Sequence, residues 1–550
     1  MSGSFDAVVV GAGAGGAAAA WRLCHKGLKV LLLEAGPRFV PERDYPLDTP
    51  GWERHLFPDK PGSQAKISYG DLGDLDPENE DLASWNVVAG RLAKGRKRMP
   101  EPGYSHVQGI GGSTLHFVGE AHRMHPDAFR LRARLGAAAD WPLSYDDLEP
   151  YYAECEDLTG VAGPGAQGAR WRSGPFPLPP HPLNTAARRL VEAGKRLGTE
   201  WQANSRFALS QPYDGRPACN YCGNCSRGCP LGDKGSCDVT FIRHAEATGK
   251  LTIETKAVVT RIISGKTGRI EAVDYIRGGK QRRQPTPTLI LSAGAVQTPR
   301  LLLASANAEA PDGLANGSGQ VGRNFMETVA WTSTGIAPGL RMSHAGLPAD
   351  AICWTFNAPD SVPGAVGGCR FNSHVQETGL VGPIAYGSRL IDGFGADFKA
   401  RMRREFGAAI SVGGIAEVVP DHRSRVDLDP RQSDAHGMRL PRISSVLTEN
   451  SLTLLRFMAE HARATLAEAG VEDLREEISS RDRFAATHVF GTCRMGHDSG
   501  ESVVDANGRS HDHENLYIAD ASIFPSSGGG EAPALTIEAL ALRMADRIAF

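Results

Sequence analysis

The chain has 550 residues, with 60 Lys and Arg against 63 Asp and Glu for a formal net charge of −3, and 41% of it is hydrophobic. It also carries 64 glycines, well above the ~7% share of ordinary proteins. This length calls for more than one domain. The near-balanced charge by itself implies no polyanion partner and no nucleic acid is expected, the lack of a Gly-X-Y period excludes a collagen-like chain, and no apolar run approaches the ~18 residues of a membrane span. The N-terminus shows no basic segment followed by a signal-type apolar stretch, so a cytoplasmic location is expected unless a partner carries the chain across a membrane.

In chain order, residues 5–10 read as a buried strand, 14–25 as a helix of small residues and 29–34 as a second strand. Between the first strand and the helix lies Gly11-x-Gly13-x-x-Gly16, and the second strand ends at Glu34. Gly11 allows the tight turn, Gly13 lets backbone approach a pyrophosphate at the helix N-terminus, and Gly16 lets helix and strand pack closely. Glu34 suits an unphosphorylated ribose, so the loop reads as a site for FAD or NAD. Residues 40–105 are irregular, and their acidic and basic stretches read as solvated surface.

A Gly/Pro-rich connection spans 160–183, and a cysteine-rich loop follows at 217–237. A helix is predicted over 239–248, and strands over 251–264 and 270–277. Residues 330–447 hold short β-like runs such as AWTSTGIA and AISVGGIAEVV. Leu452, Leu455, Ala459, Ala462, Leu466 and Ala469 repeat at helical spacing up to Gly470, and a final helix is predicted over 534–548. Trp354, Phe356 and Tyr386 either line a pocket or pack in a core.

Cys219-x2-Cys222-x2-Cys225-x3-Cys229 has the spacing of a ferredoxin run. The same four residues suit a tetrahedral zinc site, or a loop without metal.

Three further segments carry a family likeness: GIGGSTLHFVGEAHRMHP at 109–126, GAVQTPRLLLAS at 294–305 with VGRNFM at 321–326, and HVFGTCRMG followed by ADASIFPSSGGGEAPALTIEALALRMAD at 488–546. With the first loop, they make the chain similar to the glucose–methanol–choline family of FAD oxidoreductases. The cysteine loop and WPLSYDDLEPYY at 141–152 resemble most the branch acting on gluconate, glucose and related polyols.

The resemblance implies an α/β fold: a Rossmann-like FAD-binding domain (1–160, 205–329 and 482–550) with an inserted α+β substrate domain built on an antiparallel sheet (330–481), joined by a connection over 161–204. It places FAD on Gly11, Gly13, Ala14, Gly15, Gly16 and Glu34, on Gly109, Gly111, Gly112, Ser113 and His116, on Val258, and on Asp520, Ala521, Ala532 and Leu535. His116 stands where some members bond the flavin covalently; the alternative is a His packed beside it.

His488 matches the family's catalytic base, a role that suits an imidazole with an ordinary pKa of ~6.5. Counting eleven residues on from Asp520 puts the second catalytic position at Glu531, where the family usually has His or Asn. That carboxylate either shares the proton with His488, replaces it as base, or turns outward. Cys219, Cys225 and Cys229 resemble the ligands of a [3Fe-4S] cluster, with Cys222 outside the set.

The expected activity is oxidation of a primary or secondary alcohol (sugar, polyol or aryl alcohol) to the carbonyl. Electrons would pass to an acceptor other than NAD, such as a cytochrome c or a small partner subunit. The alternatives are an oxidase using O2 and a non-redox lyase of the same family.

Overall fold

The computed structural model describes residues 5–165 and 170–550. A five-stranded parallel sheet runs in the order Leu516–Ile518, Leu289–Leu291, Ala7–Val10, Val30–Glu34, Leu251–Thr255. AVVV and VLLLE are buried along their whole length, as strands covered on both faces must be. Helix Ala14–His25 lies against the C-terminal helix Ala534–Arg547 and the short helix Phe241–Ala247. Ala17, Ala18, Ala19 and Ala20 are fully buried, and its first turn carries no acidic residue, which leaves the positive end of the helix dipole free for an anion.

The segment expected as one strand over 251–264 is two. Lys256 adopts φ +53°, which breaks the chain there. Leu251–Thr255 joins the parallel sheet, while Ala257–Ser264 pairs with Ile270–Arg277 in a three-stranded antiparallel sheet completed by Lys280–Pro285.

The second large sheet has eight strands, in the order 90–91, 85–86, 473–479, 329–336, 409–416, 369–373, 351–353, 201–203, and every pairing is antiparallel. The runs AWTSTGIA and AISVGGIAEVV are its two central neighbours, paired from Val329↔Ala416 to Ile336↔Ala409. Helix Glu449–Glu468, capped by Thr448, covers one face through Leu455, Met458, Ala459, Ala462 and Leu466.

The 330–481 boundary is crossed in both directions. Strands at 85–91 and 201–203 extend this sheet, while Arg425–Ser433 and Arg439–Ser444 lie outside it, paired with each other in a three-stranded sheet that Ser68–Tyr69 completes beside Arg439–Ser444, near helix Gly294–Ala304. Edge strands are recruited by hydrogen bonding across space, which no linear boundary records. Among the described residues no helix is long and apolar enough to cross a membrane.

Candidate active site

A cavity of about 560 Å³ runs between the two large sheets. It is lined by Gly11, Gly13, Ala14, Gly15 and Glu34, by Gly112, Ser113 and His116, by Val258, by His488, and by Asp520, Ala521 and Ala532. Gly16, Gly109, Gly111 and Leu535 stand one layer back. Gly16 packs where a Cβ would lie 2.0 Å from the carbonyl of Gly11, and Leu535 is wholly buried.

The turns are bound to one another. Glu34 Oε1 accepts from the N–H groups of Gly36 (2.8 Å) and Gly109 (2.9 Å), and Oε2 accepts from Ala12 N–H (2.9 Å). Burial raises this carboxyl above its ordinary range, and the three amides oppose that rise. Gly112, at φ +54°, brings its Cα so close to Gly13 that an added Cβ would lie 2.6 Å from the Gly13 Cα. Asp520 binds the third strand-to-helix turn: Oδ2 accepts from Gly294 N–H (2.9 Å) and the Thr298 hydroxyl (2.5 Å), and Oδ1 from Ser522 N–H (2.9 Å). Backbone converging on the N-terminus of helix Ala14–His25, with a carboxylate at the end of the second strand, fits a dinucleotide.

His488 follows strand Arg483–Ala486 and is held by Thr328. Its N–H donates to Thr328 Oγ1 (3.1 Å), and the same hydroxyl donates to the His488 carbonyl (2.9 Å). Burial, then Arg370, pushes the imidazole down to about 4, while Glu120 and Glu377 act in the opposite sense. His116 lies in the same cavity and is pushed down to about 3 by burial, Lys234, His106 and His488. Both rings are therefore neutral near pH 7.

The structure does not bring Glu531 to His488. Gly528 and Gly530, at φ +75° and +97°, turn the loop so that Ala532 faces the cavity and the Glu531 side chain points behind it. Glu531 Oε1 accepts from His125 N–H (3.0 Å) and Asn357 Nδ2 (2.9 Å) and lies 3.5 Å from Arg170 Nη2. The Arg170 guanidinium stacks between Trp171 and Trp354, 4.2 and 3.7 Å from the ring centres. Glu417 is also behind the loop; burial, with Glu531 nearby, pushes its carboxyl up to about 8. The loop is fixed by Arg370 Nε donating to Gly530 O (2.9 Å), Asn357 Nδ2 to Gly529 O (2.9 Å) and Ala532 N–H to His122 Nδ1 (3.0 Å). The eleven-residue count therefore lands one residue short of the position that faces the cavity.

The cysteine loop reaches the cavity at Ser226, and Lys234 Nζ ties it to the His116 turn through the carbonyls of Leu115, Phe117 and Cys225 at 3.0, 2.9 and 2.8 Å. Cys229 Sγ donates to Asp233 Oδ1 at 2.7 Å. Burial and the Asp233 charge raise the thiols of Cys219 and Cys229, and burial raises that of Cys225 to about 11. Among the described residues no group of three or more His, Cys, Asp or Glu side chains is arranged to hold a metal ion. The arrangement fits neither the cluster nor zinc.

Trp354, Phe356 and Tyr386 do not line the cavity: Trp354 stacks on Arg170, Phe356 packs against Phe371 and Phe457, and Tyr386 is wholly buried. Thr328, His374 and Glu377 also line it, and each is a single residue outside any glycine or histidine signature. Glu120 lines it too and lies within the 109–126 segment, where no local signal marks it.

Models of GMC oxidoreductase match residues 137–330 and 420–541, and one of an NAD(P)-binding Rossmann-like domain matches 9–41. The chain is 31% identical to the fructose dehydrogenase large subunit of Gluconobacter japonicus, over 99% of this chain and 98% of that one. It is 29% identical to 2-methyl-1,2-propanediol dehydrogenase of Mycolicibacterium austroafricanum, over 99% and 95%, and 28% identical to paromamine 6'-oxidase of Streptomyces fradiae, over 99% and 91%. The crystal structure of pyridoxine 4-oxidase from Mesorbium loti has the same fold, with a TM-score of 0.66, 21% identity and 99% of each chain covered.

Proposed function

The chain belongs to the GMC oxidoreductase family, and from that premise we propose that it oxidises a primary or secondary alcohol to the carbonyl, with His488 as base and electrons leaving to an acceptor other than NAD. The observation that carries this reading is the neutral imidazole of His488, clamped by Thr328 in the dinucleotide cavity.

FAD, when bound, supplies the hydride acceptor. The Gly11–Gly16 turn and the helix N-terminus would hold its pyrophosphate, Glu34 its ribose and Val258 its adenine half. Thr328 fixes the His488 backbone, which limits the directions the ring can take. The imidazole accepts the substrate hydroxyl proton as the carbinol C–H is lost. The negative charges of Glu120 and Glu377 favour the imidazolium that results. His116, neutral in the same cavity, carries the lone pair that a covalent link to the flavin requires.

Two relatives are named as a "large subunit" and a "flavoprotein". These names support an acceptor on a partner chain, such as a small subunit or a cytochrome. Relatives named as oxidases support O2 as the second reading.

The test is anaerobic bleaching of the flavin by alcohols, followed by re-oxidation with dye or with O2. Bleaching with slow O2 re-oxidation fits the dehydrogenase. Product formed from an alcohol without bleaching overturns the redox reading.

A further inference from the structure

Four of the described residues lining the cavity are carboxylates, and three of them accept two or three hydrogen bonds each from the fold. Glu34 is held by three amides, Asp520 by two amides and a hydroxyl, and Glu120 by Arg370 Nη2 (2.6 Å) and Asn204 Nδ2 (2.8 Å). Glu377 is different. Its Oε1 accepts one bond from Asn372 Nδ2 (3.0 Å), and its Oε2 lies 2.8 Å from His374 Nδ1 without meeting hydrogen-bond angles. Among the described residues no arginine, lysine or backbone N–H neutralises it. The one guanidinium among the described lining residues, Arg300, is paired with Asp434 (2.7 Å). An ionised carboxylate has about four acceptor sites, so Glu377 keeps open ones facing the cavity.

Its position is built. Glu377 and His374 close a turn just after strand Cys369–Ser373, in which Thr378 N–H donates to the His374 carbonyl (3.1 Å). The His374 ring lies on Gly413, where an added Cβ would stand 2.6 Å from Nδ1. The side chains of His374 and Glu377 keep 17% and 12% of their surface, on the wall they share with Gly414 and His488.

We propose that Glu377 determines specificity by accepting a hydrogen bond from a second hydroxyl of the substrate, close to the carbinol that His488 deprotonates. The preferred substrates are then polyols, the 1,2-diol unit being the minimal form, rather than monohydric alcohols. The inference rests on the alcohol-oxidation reading above and narrows it. Glu377 is also one of the two carboxylates that favour the His488 imidazolium, so removing it slows every alcohol. Only a recognition role separates diol from monohydric alcohol.

The experiment uses the FAD-loaded enzyme with 1,2-propanediol and 1-propanol. It measures the rate of anaerobic flavin bleaching, and separately the affinity of each alcohol from perturbation of the oxidised flavin spectrum. A charged hydrogen bond is worth about ten- to a hundredfold, so the native enzyme is expected to prefer the diol by that factor. Glu377→Gln should bring the ratio near one, and Glu377→Asp, which keeps the charge, should keep part of it. Equal handling of both alcohols by the native enzyme, or an unchanged ratio in Glu377→Gln, overturns the proposal. If no alcohol bleaches the flavin but the diol still binds more tightly through Glu377, recognition stands and the oxidation reading falls. Bleaching with an unchanged ratio gives the reverse.

Discussion

The main-chain N–H of Ala532 donates to Nδ1 of His122 at 3.0 Å, and the other ring nitrogen of His122 meets Asn204 Oδ1 at 2.9 Å. Burial pushes His122 down to about 3, so its ring is neutral, with the proton on Nε2 and the lone pair on Nδ1 facing Ala532. This contact presents Ala532, a residue without chemistry, to the cavity and sends Glu531 behind the loop.

Glu531→Gln is therefore expected to cost stability and to leave His488-dependent flavin reduction within a few-fold of native. The loss comes from weakening the buried bonds to His125 N–H and Asn357 and the contact with Arg170, roughly 1–3 kcal/mol. Urea denaturation alongside stopped-flow reduction checks both halves. Abolished reduction at native stability would place Glu531 in the chemistry after all.

His488→Ala should retain FAD and lose about 10²- to 10⁴-fold in the rate of flavin reduction, the range of a positioned general base. The flavin spectrum reports the first and anaerobic mixing with substrate the second. Thr328→Val should act in the same direction with a smaller effect, since it frees the His488 backbone from both of its bonds. An unchanged reduction rate in His488→Ala removes it as the base.

His106, His116, His122 and His488 are all depressed, to about 4, 3, 3 and 4. Their unfolded values lie near 6.5, so below that pH the unfolded chain takes up protons that the folded chain refuses. The stability these residues contribute is present above about pH 6.5 and is lost as pH falls towards 4. Denaturant midpoints should drop steadily from pH 7 to pH 5. In the free enzyme the acid limb of kcat/KM should fall near pH 4, and a limb near 6.5 would show that His488 is not held as described.

Gly112→Ala should produce a folded protein that has lost FAD. The new methyl, at φ +54°, would meet the Gly13 Cα at 2.6 Å and force apart the two turns that enclose the cofactor. Flavin content per chain, with circular dichroism as the check on folding, reads this out. Full flavin content would mean that the turns separate without cost.

The cysteine loop should yield no stoichiometric iron or zinc by elemental analysis, because no three of its described side chains are arranged to hold a metal ion and Cys229 is bonded to Asp233. The absorption spectrum should show flavin bands alone. A brown protein with about three irons per chain would require Asp233 to leave and the three thiols to converge.

The first strand–helix–strand unit was legible almost to the residue. Its apolar strands, small-residue helix and glycine turn are local signals with a fixed spacing, and helix 14–25 ends where the pattern does. Helix Glu449–Glu468 was legible for the same reason. The single strand expected over 251–264 was not, because its break is a conformation of Lys256 rather than a residue type that announces one. The place of His488 on the cavity wall was legible from its motif. Glu377 was not, because its importance lies in accepting a single hydrogen bond, which stands out only beside the two or three that each of the other carboxylates accepts.

By itself the sequence determined the family and the dinucleotide turn, because each is a short pattern whose chemistry depends on adjacent residues. Tertiary structure alone decided that Ala532 rather than Glu531 faces the cavity that His488 lines. Gly528 and Gly530 at positive φ, together with bonds from Arg370, Asn357 and His122 far away in the chain, rotate the loop by one position. A residue count cannot register that rotation, since it is set by contacts across the fold rather than by spacing along the chain.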